Sequence, residues 1–186
     1  MFEIRLHGRG GQGVVTAAEM LSVAAFDEGK HAQAFPSFGS ERMGAPVASY
    51  CRISYREIRL REPIMDPDGL IIQDPTLLHS VDVFAGLKPG GFLLINTTRS
   101  LGDLGLADFA ARLPAHHAVC VDASGIAQRH IGRPLPNAAL LGAFAGLTRA
   151  IALDSVLKAI RARFAGKVGE ANAAAAQDAF DILATA

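Results

Sequence analysis

Short hydrophobic stretches recur along the first two thirds of the chain and predict a set of strands. Residues 2–7 alternate between hydrophobic and polar side chains, as the two faces of a strand do. The stretches GLIIQ and FLLIN are almost wholly hydrophobic, which is typical of parallel strands covered on both faces. We predict strands at Phe2–His7, His31–Phe35, Gly69–Gln73, Phe92–Asn96 and His117–Asp122.

Hydrophobic residues at helical spacing predict the helices. Val14–Glu28 has one hydrophobic face, and Gly29 follows it where helices commonly end. The last third of the chain is Ala-rich, and Asn137 is interpreted as the N-terminal cap of its first helix. Further helices are predicted at Val81–Leu87, Pro136–Ile151, Asp154–Phe164 and Glu170–Ala184.

The segment between the second and third of these strands carries the remaining local signals. Pro36–Pro46 is predicted to be a loop, and Val47–Ile53 with Glu57–Arg61 resembles a hairpin that turns near Ser54–Arg56. The order of elements predicts an α/β fold, specifically a Rossmann-like three-layer sandwich. It would have a mostly parallel sheet, helices on both faces and a helical C-terminal segment. A length of 186 residues favours a single domain over residues 1–186.

The composition argues against several classes of protein. Equal numbers of basic and acidic residues, 18 each, leave no positive field for binding nucleic acid. Cys51 and Cys120 form no CxxC pair, so we expect two buried reduced thiols and no metal site. The hydrophobic runs are shorter than the ~20 residues that span a membrane, and the N-terminus does not resemble a signal peptide. We therefore expect a cytoplasmic protein that binds neither nucleic acid nor a membrane.

The stretch HGRGGQG, residues 7–13, is the strongest local motif. Gly8, Gly10 and Gly13 fit GxGxxG between a predicted strand and a predicted helix, where backbone N–H groups favour an anionic ligand. A dinucleotide site also needs an acidic residue about 20 residues further on, and His31–Phe35 contains none. Nucleotide binding therefore remains one interpretation, and tight packing or contact with another subunit is the other.

A second loop and the ends of two strands carry the other candidate residues. Glu41 and Arg42, after Ser40, could present a bidentate donor to a carboxylate or phosphate, or form a solvated ion pair. Asp74 and Asn96 follow hydrophobic strands, at the edge where open α/β sheets bind ligands. Both residue types are also ordinary turn formers and helix caps.

Five stretches together resemble a known family. They occur in the family's order from Glu3 to about Phe164, and resemble the gamma subunit of 2-oxoacid:acceptor oxidoreductases of the pyruvate:ferredoxin type. The form ERxGAPV, Glu41–Val47, resembles the pyruvate-type branch more than the branch whose loop reads EMRGG. The stretches are HGRGGQGVVTAAEML, AFPSFGSERMGAPV, DPTLL, GLKPGGFLLINT and PNAALLGAFAGLT.

This resemblance implies a subunit of an enzyme complex that oxidatively decarboxylates a 2-oxoacid to an acyl-CoA. The implied partners are an alpha subunit, a beta subunit with thiamine diphosphate and Mg²⁺, and a ferredoxin-like delta subunit with [4Fe-4S] clusters. Coenzyme A is the co-substrate, and electrons pass to ferredoxin or, through FAD on an extra subunit, to NAD. Pyruvate is the default 2-oxoacid, with branched-chain, aryl-pyruvate and phenylglyoxylate types open.

For this chain the resemblance implies a structural wall with interface loops, without a catalytic residue, a metal site or a cofactor of its own. A free-standing NAD-binding domain and a purely structural assembly subunit are the alternatives. The residues expected near coenzyme A or thiamine diphosphate lie in the two loops and at one strand end: Gly8, Arg9, Gly10, Gly11, Gln12, Gly13, Ser40, Glu41, Arg42 and Asn96.

Overall fold

A mixed six-stranded sheet forms the centre of the computed structural model, which describes residues 1–37 and 43–184. The strand order within these residues is β2-β3-β1-β4-β5-β6. The strands are β1 (Phe2–Arg9), β2 (His31–Pro36), β3 (Pro46–Ser54), β4 (Gly69–Ile72), β5 (Phe92–Asn96) and β6 (Ala118–Val121).

Strand β1 lies in the middle of the sheet and divides it into two kinds of pairing. On one side β1, β4, β5 and β6 are all parallel. On the other side β3 is antiparallel both to β1 and to β2. The predicted α/β class with a mostly parallel sheet is confirmed, because three of the five pairings are parallel.

The predicted hairpin is wrong, since Glu57–Arg61 forms no strand and β3 pairs with β2 instead. The segment that follows β3 crosses the sheet, and arginine side chains bind its carbonyl groups. Arg52 donates to the carbonyl oxygen of Glu62 at 2.7 Å, and Arg5 donates to that of Ile64 at 3.3 Å. These donors satisfy carbonyl groups that would otherwise need a neighbouring strand.

The four long helices of the structure agree with the prediction to within a few residues at most ends. They are α1 (Val14–Asp27), α4 (Asn137–Thr148), α5 (Leu153–Arg163) and α6 (Gly166–Ala184). Pro136 occupies the cap position of α4 and Asn137 is its first residue, so the predicted cap role of Asn137 is wrong. Two further helices, the short α2 (Ala107–Ala110) and α3 (Ala123–Ile131), were not predicted. The N-terminal cap of α3 is Asp122, whose side chain accepts a hydrogen bond from the N–H of Gly125.

The predicted helix Val81–Leu87 is also wrong. This stretch forms turns, preceded by a 3-10 helix at Pro75–His79. Arg5 donates to the carbonyl oxygens of Val83 and Ala85, and a helix over this stretch would use that of Val83 internally. The buried charge of Arg5 therefore depends on an irregular segment to supply acceptors.

Two hydrophobic cores cover the two faces of the sheet. Ile4, Leu6, Ile71 and Leu94 face the core formed with α1 and the C-terminal helices. The residues that alternate with them on β4 and β5 face a smaller core, which includes the 3-10 helix and side chains near α2. Within the described residues, no helix is long and hydrophobic enough to cross a membrane.

Candidate functional site

The glycine loop, which we define as residues 9–13, joins β1 to α1 at the carboxyl edge of the sheet. Gly11 and Gly13 have φ values of 89° and 73°, a left-handed backbone that glycine adopts without strain. Gly13 directly precedes α1, and no side chain of the described residues caps the helix there. The first N–H groups of α1 are consequently available to an anionic group.

Close contacts on both sides explain why side chains are absent from this loop. A Cβ atom on Gly8 would overlap Val14, and one on Gly13 would lie 2.7 Å from the Asn137 side-chain nitrogen. A Cβ atom on Gly11 would overlap the sulfur of Met43, a residue from the second loop. The loop is therefore packed between α1, the start of α4 and the second loop.

The side chains of Arg9 and Gln12 bind within the protein. Gln12 accepts a hydrogen bond from the Arg9 N–H at 2.7 Å and donates one to Asp74 at 2.8 Å. The Arg9 guanidinium donates to Thr76 at 2.8 Å and to the carbonyl oxygen of Gly44 at 3.0 Å. Both side chains thus brace the loop in this structure.

A cavity of about 520 Å³ opens between the glycine loop and the C-terminal helices. Arg133 and Arg163 line it, and neither forms an ion pair with a carboxylate of the described residues. Asn137 is only 7% exposed, and its side-chain nitrogen forms no hydrogen bond with any of the described residues. The remaining wall combines polar and hydrophobic residues: Gly11, Gln12, Gly13, Thr16, Ile131, Leu135, Phe164, Val168 and Asn172.

This cavity combines two kinds of surface. The two arginines, the amide of Asn137 and the start of α1 all favour a negative charge in the cavity. Leu135, Phe164 and Val168 offer a hydrophobic surface at the same site. The arrangement suits a ligand with an anionic group attached to a less polar body, and it contains no pair of groups placed for acid–base chemistry.

The structure brings only some of the predicted site residues to this cavity. Gly11, Gln12 and Gly13 line it, whereas Arg9 and Gly10 line a smaller cavity of about 240 Å³ on the side of Val47. Asn96 lies at the end of β5 and hydrogen bonds to Gln73 and Ser124. Gly8 packs against the start of α1. Ser40, Glu41 and Arg42 lie outside the described residues.

Sequence reasoning missed the residues of the cavity that come from the last third of the chain. Arg133, Asn137 and Arg163 are more than a hundred positions from the glycine loop, so no local pattern connects them with it. The one available signal is the Pro-flanked stretch GRPLPN, which resembles a loop that ends one helix and begins another.

The sheet topology argues against the dinucleotide interpretation. In a dinucleotide-binding fold, the second strand lies directly beside the first and carries the acidic residue for the ribose. Here β3 lies between β1 and β2, and β2 ends in Phe35 and Pro36. The position that would bind a ribose is thus taken by an antiparallel strand.

His7 is a buried histidine beneath the glycine loop. It accepts a hydrogen bond from the Arg5 side chain at 3.0 Å. Burial, together with the positive charge of Arg5, lowers the pKa of His7 to about 4. The imidazole is therefore neutral near pH 7 and has a structural role as an acceptor.

The low pKa of His7 predicts a pH dependence of stability. His7 binds a proton near pH 6.5 in the unfolded chain and only near pH 4 in the folded chain. The free energy of unfolding should therefore decrease as the pH is lowered from 6.5 towards 4, and the decrease should reach about 2–3 kcal/mol at pH 4.5. His7→Gln keeps an acceptor for Arg5 without titrating. In urea unfolding at pH 7.5 and 4.5, this variant should lose about 2 kcal/mol less than the wild type. His31→Gln, at an exposed position, should behave as the wild type, and equal losses in all three proteins would contradict the assignment.

Known proteins resemble this chain over nearly its whole length. The profile of the family described as pyruvate ferredoxin/flavodoxin oxidoreductase matches residues 3–182. The chain is 49% identical over 181 residues to the pyruvate/ketoisovalerate oxidoreductases common subunit gamma of Thermococcus kodakarensis, with 97% of this chain and 96% of that protein covered. The chain therefore belongs to the pyruvate ferredoxin/flavodoxin oxidoreductase family. Within that family it is a gamma subunit of a 2-oxoacid:ferredoxin oxidoreductase, which confirms the resemblance found in the sequence motifs.

Solved structures agree with this assignment. The pyruvate oxidoreductase subunit PORC of Thermotoga maritima superposes with a TM-score of 0.81 at 35% identity, covering 97% of this chain and 95% of that one. The 2-oxoglutarate:ferredoxin oxidoreductase of Magnetococcus marinus, solved with 2-oxoglutarate, coenzyme A and succinyl-CoA bound, has a TM-score of 0.77 at 20% identity. This chain is covered to 99% and corresponds to 31% of that longer chain, a likeness that shows the shared fold.

Proposed function

We propose that this gamma subunit forms a wall of the active-site region in its complex, and that its large cavity binds the anionic part of coenzyme A. The complex would oxidatively decarboxylate a 2-oxoacid, transfer the acyl group to the coenzyme A thiol and pass the released electrons to ferredoxin or NAD. Thiamine diphosphate with Mg²⁺ would supply the decarboxylation chemistry on the beta subunit, and [4Fe-4S] clusters on the delta subunit would carry the electrons. The chain's own residues would bind and orient the co-substrate.

The observation that carries this proposal is the charge of the cavity beside the glycine loop. Coenzyme A has several phosphate groups on a long, partly hydrophobic body. The cavity offers two arginines that pair with no carboxylate of the described residues. The start of α1 and the Asn137 amide add neutral donors. Leu135 and Phe164 would contact the less polar part of the ligand.

The description of one relative supports a role for the gamma subunit with coenzyme A rather than with the 2-oxoacid. The relative from Thermococcus kodakarensis is described as common to pyruvate and ketoisovalerate oxidoreductases. A gamma subunit shared by enzymes for two 2-oxoacids suits a role with the common co-substrate rather than with the variable acid. We propose pyruvate as the 2-oxoacid and a cytoplasmic complex of alpha, beta, gamma and delta subunits.

The test is to weaken the charge of the cavity in the recombinant complex. Arg133→Gln with Arg163→Gln should raise the KM for coenzyme A about tenfold or more, since each charge-assisted contact contributes about 1.5–3 kcal/mol. The kcat and the KM for pyruvate should stay within about twofold. The measurement is steady-state turnover with an artificial electron acceptor, with coenzyme A and pyruvate varied in turn.

Arg161→Gln is the matched control, because Arg161 lies on the same helix but pairs with Glu170 at 2.9 Å outside the cavity. It should leave every kinetic constant unchanged. An unchanged KM for coenzyme A in the double variant would contradict the proposal. It would then favour the alternative of a purely structural assembly subunit.

A further inference from the structure

The Asp74 carboxylate connects both loops of the candidate site without lining its large cavity. Its side chain is 12% exposed, at the turn between β4 and the 3-10 helix. We propose that Asp74 is a positioning residue, which fixes the glycine loop through Gln12 and residues 43–46 through Arg9. This role in ligand binding rests on the proposed function, because it assumes that the glycine loop contacts coenzyme A.

The two carboxylate oxygens of Asp74 have different partners. One oxygen accepts from the Thr76 backbone N–H at 2.9 Å and from the Thr76 hydroxyl at 2.6 Å. The other accepts from the Gln12 side chain at 2.8 Å and lies 3.2 Å from the Arg9 guanidinium. The turn is thereby held on one side of the carboxylate and the glycine loop on the other.

The contact with Gln12 fixes the curvature of the glycine loop. With its nitrogen held by Asp74, the Gln12 side chain presents its oxygen to the Arg9 N–H. The Gln12 N–H also donates to the Arg9 carbonyl oxygen at 3.1 Å, and the Gln73 side chain donates to the Gln12 carbonyl oxygen. These hydrogen bonds fix the backbone of Gly11 to Gly13, which line the large cavity.

The contact of Asp74 with Arg9 extends this hydrogen-bonded network to residues 44–45. Arg9 donates to the Gly44 carbonyl oxygen. The Gly44 N–H donates to Gly10 at 3.0 Å, and the Gly10 N–H donates to Ala45 at 2.9 Å. The glycine loop and residues 44–45 are consequently one hydrogen-bonded unit. Asp74 is the only carboxylate among the described residues that pairs with this unit.

The electrostatics agree with an ionised carboxylate at this position. Burial alone would raise the pKa of Asp74, but hydrogen bonds from Thr76 and Gln12 and the charge of Arg9 together hold it below its usual value. Asparagine at this position has one oxygen and one amide group. Its amide N–H group would face a donor of either Thr76 or Gln12, so the hydrogen bonds to one of these two residues would be lost.

The experiment compares Asp74→Asn with wild type in the assembled complex by hydrogen exchange and by kinetics. We expect the backbone amides of residues 9–13 and 43–46 to exchange about tenfold faster. The KM for coenzyme A should rise about fivefold to tenfold while kcat stays within twofold, since misplaced binding groups weaken a bound ligand. Asp103→Asn is the control, because Asp103 makes similar bonds to Ser100 in an exposed turn.

The outcomes separate this proposal from the proposed function. Unchanged exchange in Asp74→Asn would overturn the positioning role, whatever the kinetics show. Faster exchange with a raised KM for coenzyme A would support it. Faster exchange with no change in KM, in a complex where the double arginine variant also leaves KM unchanged, would support positioning of the loops and overturn the proposed function. Faster exchange with no change in KM, where the arginine variant does raise it, would overturn the role of Asp74 in ligand binding.

Discussion

Gly142→Val should destabilise this protein by at least about 3 kcal/mol, because the α4–α6 contact leaves no room for a side chain. A Cβ atom on Gly142 would overlap the backbone carbonyl of Ala176, and one on Gly146 would lie 3.0 Å from the carbonyl oxygen of Phe180. A backbone cannot give way as a flexible side chain does. The two helices would therefore have to separate, with loss of packing along the whole contact.

The buried residues of α6 are mostly small, which allows the close approach beside Gly142. The small residues include Ala173, Ala175, Ala176 and Ala179. For a chain of this size, about 3 kcal/mol corresponds to a fall in the thermal midpoint of about 6–12 °C. Thermal unfolding followed by circular dichroism measures it. Gly90→Ala is the control, because a Cβ atom there would meet nothing within 4 Å, and a midpoint within 2 °C of wild type for Gly142→Val would contradict the packing argument.

Arg52→Met should lower the free energy of unfolding by about 3–5 kcal/mol, because it removes a buried cation and leaves the groups that accept its hydrogen bonds without a donor. Arg52 is 1% exposed. It donates to Glu3 at 2.9 Å, to Gln33 at 3.2 Å and to the Glu62 carbonyl oxygen at 2.7 Å. Because the segment after β3 has no strand partner, loss of this donor should also speed hydrogen exchange in residues 57–63.

A double variant separates the charge from the packing. Adding Glu3→Gln to Arg52→Met removes a carboxylate that keeps, among the described residues, only the longer contact with Lys88, at 3.9 Å. The second substitution should recover about 1–2 kcal/mol of the free energy of unfolding, measured in urea. Arg59→Met is the exposed control, because its pair with Glu57 is in solvent and should contribute less than about 1 kcal/mol. A loss for Arg52→Met as small as that of Arg59→Met would contradict the role of Arg52.

The sequence predicts the regular elements of this fold wherever hydrophobic spacing alone decides them. GLIIQ and FLLIN become β4 and β5, and the Ala-rich segments become α4, α5 and α6. The predictions fail where a distant side chain supplies hydrogen bonds. Glu57–Arg61 has the alternation of a strand, but Arg52 and Arg5 bind the carbonyl groups just beyond it. No local pattern contains that information.

For the candidate site, the sequence predicts the local backbone but not the side chains that distant segments bring to it. The glycines of HGRGGQG indicate a tight loop before a helix, as the structure has it. That Arg9 turns inward to Thr76 and Gly44, and that Arg133 and Arg163 face the cavity, depends on tertiary packing. The assignment of residues 8–13 and Asn96 to a cofactor surface stays a prediction.

The cavity beside the glycine loop is built from segments that the ribosome makes at very different times. Residues 11–16 are synthesised more than a hundred residues before residues 131–137 and 163–172, which complete the cavity. Strand β1 likewise needs β3 and β4 before it has neighbours on both sides. The surface beside the glycine loop is therefore complete only after residues 163–172 have been synthesised and have packed, so the cavity cannot form before the C-terminal helices do.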